Sequence, residues 1–162
     1  MPAHSRRVVD LSSFRTVIAN PALIAATSSR PDPNAVVYIV EDDTAVRSAL
    51  DLLARCCGWR ACSFASGREF LDSGIEETGS CLVLDLNMPQ MDGETVLRRL
   101  RERGSGLPVL VITSDRSGAQ LERVRRLGVY EVLQKPFGDD AFQSAVQGCL
   151  SGPAAPTDAA DT

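Results

Sequence analysis

Cys81–Gly93 reads CLVLDLNMPQMDG. Its apolar run, Leu82-Val83-Leu84, ends in the carboxylate of Asp85, and Asn87 follows shortly after. Met88-Pro89, Met91 and the turn pair Asp92-Gly93 then break any regular structure. A short run that is apolar at every position predicts a parallel strand buried on both faces, with a loop at its C-terminal end. Ligands of open α/β sheets bind where the strands end, so Asp85 stands where chemistry is expected. Taken alone, Asp85 reads equally well as a turn aspartate capping the next helix.

The pattern repeats on both sides. Upstream, Val36–Val40 is a first buried strand that ends in Glu41-Asp42-Asp43. Asp43 or Thr44 caps a helix whose Val46, Ala49, Leu50, Leu53, Ala54 and Cys57 share one face, and Gly58 closes it. Arg60–Phe64 is a weaker second strand, and residues 66–73 form a short helix with Phe70 and Leu71 inward. Downstream, a helix over about residues 94–103 buries Val96, Leu97 and Leu100. Its Arg98, Arg99, Arg101 and Arg103 read as a solvated face in preference to a nucleic-acid contact. Residues 108–112 make a fourth strand ending in Thr113-Ser114-Asp115, followed by a helix over residues 119–127 that Gly128 stops. Residues 131–133 make a fifth strand ending in Gln134-Lys135-Pro136, followed by a helix over residues 139–150. Strands alternating with helices predict an α/β fold, a parallel sheet covered on both faces. Right-handed crossovers bring every strand's C-terminal end to one edge.

The 162 residues suffice for one domain with a real core. The formal charge of −4 argues against nucleic acid as the main partner, and no apolar run approaches the length of a membrane span. The five cysteines read as small core residues of a protein in a reducing cytosol, without disulfides. The single histidine, His4, leaves no histidine-based catalytic triad. Residues 1–34, with the linker SSRPDPN at 28–34, read as an N-terminal extension, either a poorly ordered arm or a short helix. Residues 35–150 read as the domain and residues 151–162 as a flexible tail.

The strand ends supply one constellation: Glu41 and Asp42 from the first, Asp85 and Asn87 from the third, Thr113 from the fourth and Lys135 from the fifth. Clustered carboxylates repel and need a counter-charge, which Lys135 supplies in part. A hard divalent cation supplies more, and Mg²⁺ suits an all-oxygen set that keeps several waters. With charge on a transferring phosphoryl group neutralised in this way, Asp85 can act as a nucleophile toward phosphorus. The Thr113 hydroxyl can donate to a phosphate oxygen and draw its loop inward, a local switch.

These segments, VYIVEDD, LVLDLNMPQMDG, VLVITSD and LQKPF, occur in the order and spacing of a known family. Residues 36–150 resemble the response-regulator receiver domain of two-component signalling, in particular the nitrogen-fixation regulator type. The resemblance implies a flavodoxin-like three-layer fold, with five parallel strands in the order 2-1-3-4-5 and five helices, a common doubly wound order. It implies that Asp85 accepts a phosphoryl group with Mg²⁺, that Asp42 ligates the metal directly and that Glu41 acts through water. Asn87 would lend its backbone carbonyl, Thr113 the switch hydroxyl and Lys135 the phosphate contact, with Lys135-Pro136 cis. It further implies a cytoplasmic regulator, not an enzyme, that is phosphorylated by a sensor histidine kinase or a histidine phosphotransfer protein. The downstream protein partner would be met through the fourth helix, fifth strand and fifth helix, with a homodimer left open and neither membrane nor direct nucleic acid as partner.

Two positions depart from the family pattern. The usual aromatic three residues before the lysine is Val132, with Tyr130 two residues earlier, and Glu41 replaces the more frequent aspartate. Asn87 and Asp115 flank the expected path of a hydrolytic water, which implies a short-lived phosphoryl state. The few residues after Leu150 suit a stand-alone receiver, and the receiver part of a longer DNA-binding regulator is the variant reading. A receiver fold that binds partners without phosphorylation is another alternative. A phosphatase of the haloacid dehalogenase type would need a second acid where Asn87 stands.

Overall fold

A computed structural model describes residues 32–152. The expectations of an N-terminal extension and a C-terminal tail fall largely on residues 1–31 and 153–162, outside the described residues. Five strands alternate with five helices: β1 Val36–Val40, α1 Thr44–Cys56, β2 Arg60–Phe64, α2 Gly67–Asp72, β3 Cys81–Asp85, α3 Gly93–Glu102, β4 Val109–Thr113, α4 Gly118–Arg126, β5 Glu131–Gln134 and α5 Asp139–Ser151. Every strand pair is parallel, in the order β2-β1-β3-β4-β5. The expected flavodoxin-like topology is the observed one.

The three central strands are buried at every position, which is why they read as unbroken apolar runs. The edge strands β2 and β5 are covered only in part, and their signal is weaker for that reason. Side chains alternate between two cores. Val37, Ile39, Val83, Leu110 and Ile112 pack with Leu50 and Leu53 of α1 and Phe142 and Val146 of α5. Tyr38, Val40, Leu82, Leu84 and Val111 pack with Phe70 of α2, Leu97 of α3 and Leu121 and Val124 of α4. The helices thus form two layers around the sheet.

Local chemistry sets the helix starts. Asp43 caps α1 by accepting from Ala45 N and Val46 N. Ser66 caps α2, and Asp92 caps α3 by accepting from Thr95 N at 2.8 Å. Asp85 therefore caps no helix and is left for other work. Gly93 presses α3 onto β3: an added Cβ there would strike the Asp85 carbonyl oxygen and lie 2.8 Å from Leu86 Cα.

Two expectations need correction. The arginine run of α3 is not simply a solvated face. The half-buried Arg101 guanidinium donates to the carbonyls of Ser105, Leu107, Leu127 and Gly128 at 2.6–3.1 Å. It serves the carbonyls that the end of α4 leaves without helical partners. Arg103 donates to Leu71 O at 2.7 Å, while Arg98 shares Glu94 with Arg123 of α4. The cysteines are not all core residues either. Cys81 and Cys149 are buried, but Cys56 and Cys62 are exposed, one on the outer side of α1 and one on the edge strand. Replacing Arg101 with methionine keeps the aliphatic stem and strands those carbonyls. We expect a loss of about 2 kcal/mol, read as a lower urea midpoint at unchanged slope.

Candidate phosphoacceptor site

β1 connects outward to β2 while β3 lies on its other side, so the strand order reverses at β1 and β3. Such a reversal opens a crevice beyond the strands' C-terminal ends. Glu41 follows β1 directly, with 1 % of its surface exposed, and Asp85 ends β3 at 2 %. Asp42 is exposed beside them. One carboxylate oxygen from each of Glu41, Asp42 and Asp85 lies within 4.8 Å of the others. Lys135, one residue beyond β5, places Nζ 2.9 Å from Glu41 Oε2 and 3.6 Å from Asp85 Oδ1. Its own N–H donates to Thr113 O at 2.8 Å, which fixes the lysine's backbone to the end of β4. The Lys135-Pro136 peptide is cis.

The electrostatics follow from this crowding. Burial pushes the Glu41 carboxyl above its ordinary pKa, the Asp85 charge pushes the same way, and the Lys135 ammonium opposes both. Burial likewise raises Asp85, against the pull of Lys135 and the Asn87 N–H. Asp42 is raised by burial and by Glu41. One lysine does not neutralise three acids, so the cluster still favours added positive charge.

Asn87 N–H donates to Asp85 Oδ1 at 3.3 Å, and its side-chain Nδ2 donates to Thr113 Oγ1 at 3.2 Å. Thr113, at the end of β4, is fully buried, and its Oγ1 also accepts from Asp115 N at 3.0 Å. All six residues singled out in the sequence therefore meet at one edge. Three other details differ from expectation or were missed. Tyr130 precedes β5, on the opposite edge, and its ring lies against Gly148 of α5 and Gly152 just beyond it, so it does not stand in for the missing aromatic. Val132 points into the core beneath α3 and α4. The Asp115 carboxylate is taken up by Ser117, accepting from its N–H and its hydroxyl at 2.8 and 3.0 Å.

The sequence reading overlooked Arg47, whose Nη1 donates to Glu41 O at 2.9 Å and Asp42 O at 3.3 Å and pins the acidic loop. An arginine in a helix's first turn opposes the helix dipole, and that misfit was the available signal. Two clefts, of about 520 and 270 Å³, lie at the other edge, beside Tyr38, Arg60 and Glu76 and beside Ser80 and Pro108.

The family model of the response regulator receiver domain matches residues 37–147. The chain belongs to the response regulator receiver domain family. Among its relatives, the receiver is 34 % identical over 119 residues to the response regulator protein TmoT of Ectopseudomonas mendocina, covering 74 % of this chain and 54 % of that protein. It is 33 % identical over 114 residues to the transcriptional regulatory protein FixJ of Azorhizobium caulinodans, covering 70 % and 54 %. The chain thus spans about half the length of these relatives. The structure of the response regulator StyR superposes with a TM-score of 0.68 at 32 % identity, over 72 % of this chain and 59 % of that one. FixJ-N superposes at 0.67 and 26 % identity, over 76 % and 99 %. The receiver is a part of two-component response regulators, which are regulatory proteins. Among the described residues, no helix is long and apolar enough to cross a membrane.

Proposed function

We propose that this receiver accepts a phosphoryl group on Asp85 and relays that event to a partner protein. The observation that carries the reading is the cluster of buried Glu41 and Asp85 with exposed Asp42 beside them, Lys135 bridging Glu41 and Asp85. The donor set fits Mg²⁺, because carboxylates and a backbone carbonyl are hard oxygen ligands. Glu41, Asp42 and Asp85, with the Asn87 carbonyl, would hold the ion, and when bound it supplies positive charge to the phosphoryl oxygens.

The remaining work belongs to side chains. An Asp85 carboxylate oxygen attacks phosphorus, an O–P bond forms, and the bond to the donor breaks with its electron pair leaving on the donor atom. That atom is a histidine nitrogen of a sensor kinase or phosphotransfer protein, or the acyl oxygen of acetyl phosphate. Lys135 moves from pairing carboxylates to pairing a phosphoryl oxygen, and the Thr113 hydroxyl donates to another. Residues 35–150 act as the folding unit, in the cytoplasm, and the answering surface is α4, β5 and α5. The naming of FixJ as a transcriptional regulatory protein supports control of transcription as the response.

Intact mass after acetyl phosphate and Mg²⁺ tests the acceptor. One phosphoryl group is expected on the wild type and none on Asp85→Asn. Incorporation in both would move the acceptor elsewhere, and incorporation in neither would make the domain a phosphorylation-independent binding module.

A further inference from the structure

Thr113 has no freedom left as an acceptor. Its Oγ1 takes two N–H donors, Asn87 Nδ2 at 3.2 Å and Asp115 N at 3.0 Å. A hydroxyl offers two acceptor lone pairs and one hydrogen, so the hydrogen is all that remains to be used. The side chain is fully buried, so water does not compete for it. A β-branched side chain has few χ1 wells open to it, and the choice a threonine keeps among them is set in part by the hydrogen bonds of its Oγ1. Asn87 is also tied to the acceptor carboxylate, because its own N–H donates to Asp85 Oδ1 at 3.3 Å. A second donor contact, Asn87 Nδ2 to Ser114 Oγ at 3.5 Å, sits at the limit of a hydrogen bond.

We propose that Asn87 is a positioning residue that presets the Thr113 rotamer before any phosphoryl group arrives, leaving the hydroxyl able only to donate toward the Asp85 side of the site. The consequence reaches α4 through the same oxygen. Thr113 Oγ1 holds Asp115 N, and the Asp115 carboxylate holds Ser117, the residue before α4. In a receiver whose aromatic switch position is Val132, this polar chain from Asn87 to Ser117 carries the response. The role in signalling rests on the proposed function, whereas the preset rotamer does not.

The test uses the full chain with methyl-labelled threonine, the Thr113 signal being assigned by its loss in Thr113→Val. In the unphosphorylated wild type, three-bond couplings should report one χ1 rotamer. In Asn87→Ala, the ratio of that rotamer to the others should fall about fivefold, the worth of one ordinary hydrogen bond. Asn87→Asp should keep a single rotamer, because a carboxylate accepts the Thr113 hydrogen, yet blunt the shift of the Ser117 amide upon phosphorylation. Variants are compared at equal phosphorylated fraction, measured by mass. In the Thr113→Val background, Asn87→Ala should change the Ser117 response no further. Equal rotamer populations in wild type and Asn87→Ala would overturn the preset, as would an Asn87→Asp protein responding like the wild type. A wild type that takes up no phosphoryl group would overturn the proposed function alone, since the rotamer comparison still decides the contact.

Discussion

Gly93→Ala is expected to destabilise the protein by about 3 kcal/mol or more, at the upper end of what overpacking costs. The added Cβ would meet the Asp85 carbonyl oxygen, Leu86 Cα at 2.8 Å and Asp85 C at 3.1 Å. All of these are backbone atoms of β3 and its exit, so no side-chain rotation relieves the clash. Either α3 lifts from the sheet or the end of β3 bends, and both break the Gly93 N–H bond to Leu86 O, now 3.0 Å. Because the strained atoms carry Asp85 itself, phosphoryl uptake should fall along with stability. Gly118→Ala is the control: it opens α4, and nothing lies within 4 Å of its added methyl. Its urea midpoint should shift by less than about 1 kcal/mol equivalent, and upward, since alanine restricts the unfolded chain. A Gly93→Ala midpoint close to that of the control would mean that α3 does not press on β3 as described.

The second large effect is expected from Lys135→Met. Lysine is the cation bridging Glu41 and Asp85, and removing one partner from a buried pair leaves charge uncompensated. Because the exposed Asp42 keeps the edge in contact with water, the loss at pH 7 should be about 3 kcal/mol, the low end for a broken buried pair. The pH dependence has a definite sign. The Glu41 and Asp85 carboxyls already stand above their ordinary values, through burial first. Loss of the ammonium raises both further. A carboxyl raised in the folded state contributes stability that is complete below its unfolded pKa, about 4, and is lost as pH rises through the folded value. Lys135→Met should therefore close its gap to the wild-type melting temperature progressively as pH is lowered from 7 toward the unfolded carboxyl value, about 4. A deficit independent of pH would place the lysine's contribution in packing and not in charge. Phosphoryl-state signalling should be lost at any pH, since no other lysine stands at this edge.

Much of this architecture was readable because burial on both faces leaves an unmistakable mark. The strand order itself came from the resemblance, but β1, β3 and β4 read as buried strands, and parallel connections bring strand ends together. From that alone Glu41, Asp42, Asp85, Thr113 and Lys135 fall at one edge. Boundaries moved by a residue where hydrogen bonding outvotes composition: Thr113 belongs to β4 and pairs with Gln134, although its hydroxyl reads as loop chemistry. What stayed hidden was side-chain direction. Arg101 and Arg99 look alike in sequence, but only Arg101 faces the end of α4. Asp115 looks like a free acid until Ser117 closes on it. Strand alternation alone would put Tyr130 and Val132 on one face, yet Tyr130 stands before β5 and packs against the end of α5, while Val132 joins the core under α3 and α4. Each of these depends on which neighbour the fold brings near, and no local pattern records that.

The Glu41–Lys135 pair spans 94 residues, and its consequence lies in the order of synthesis. A chain emerging from the ribosome releases Glu41, Asp42 and Asp85 first and their cation last. At about 5–20 residues per second, the gap between Asp85 and Lys135 lasts several seconds. During that interval three acids share an edge with no lysine to hold them, and β4 has no β5 to dock against it. The charge cluster therefore closes only on a finished sheet, and a chain released before residue 135 carries Asp85 without the cation that pairs with it.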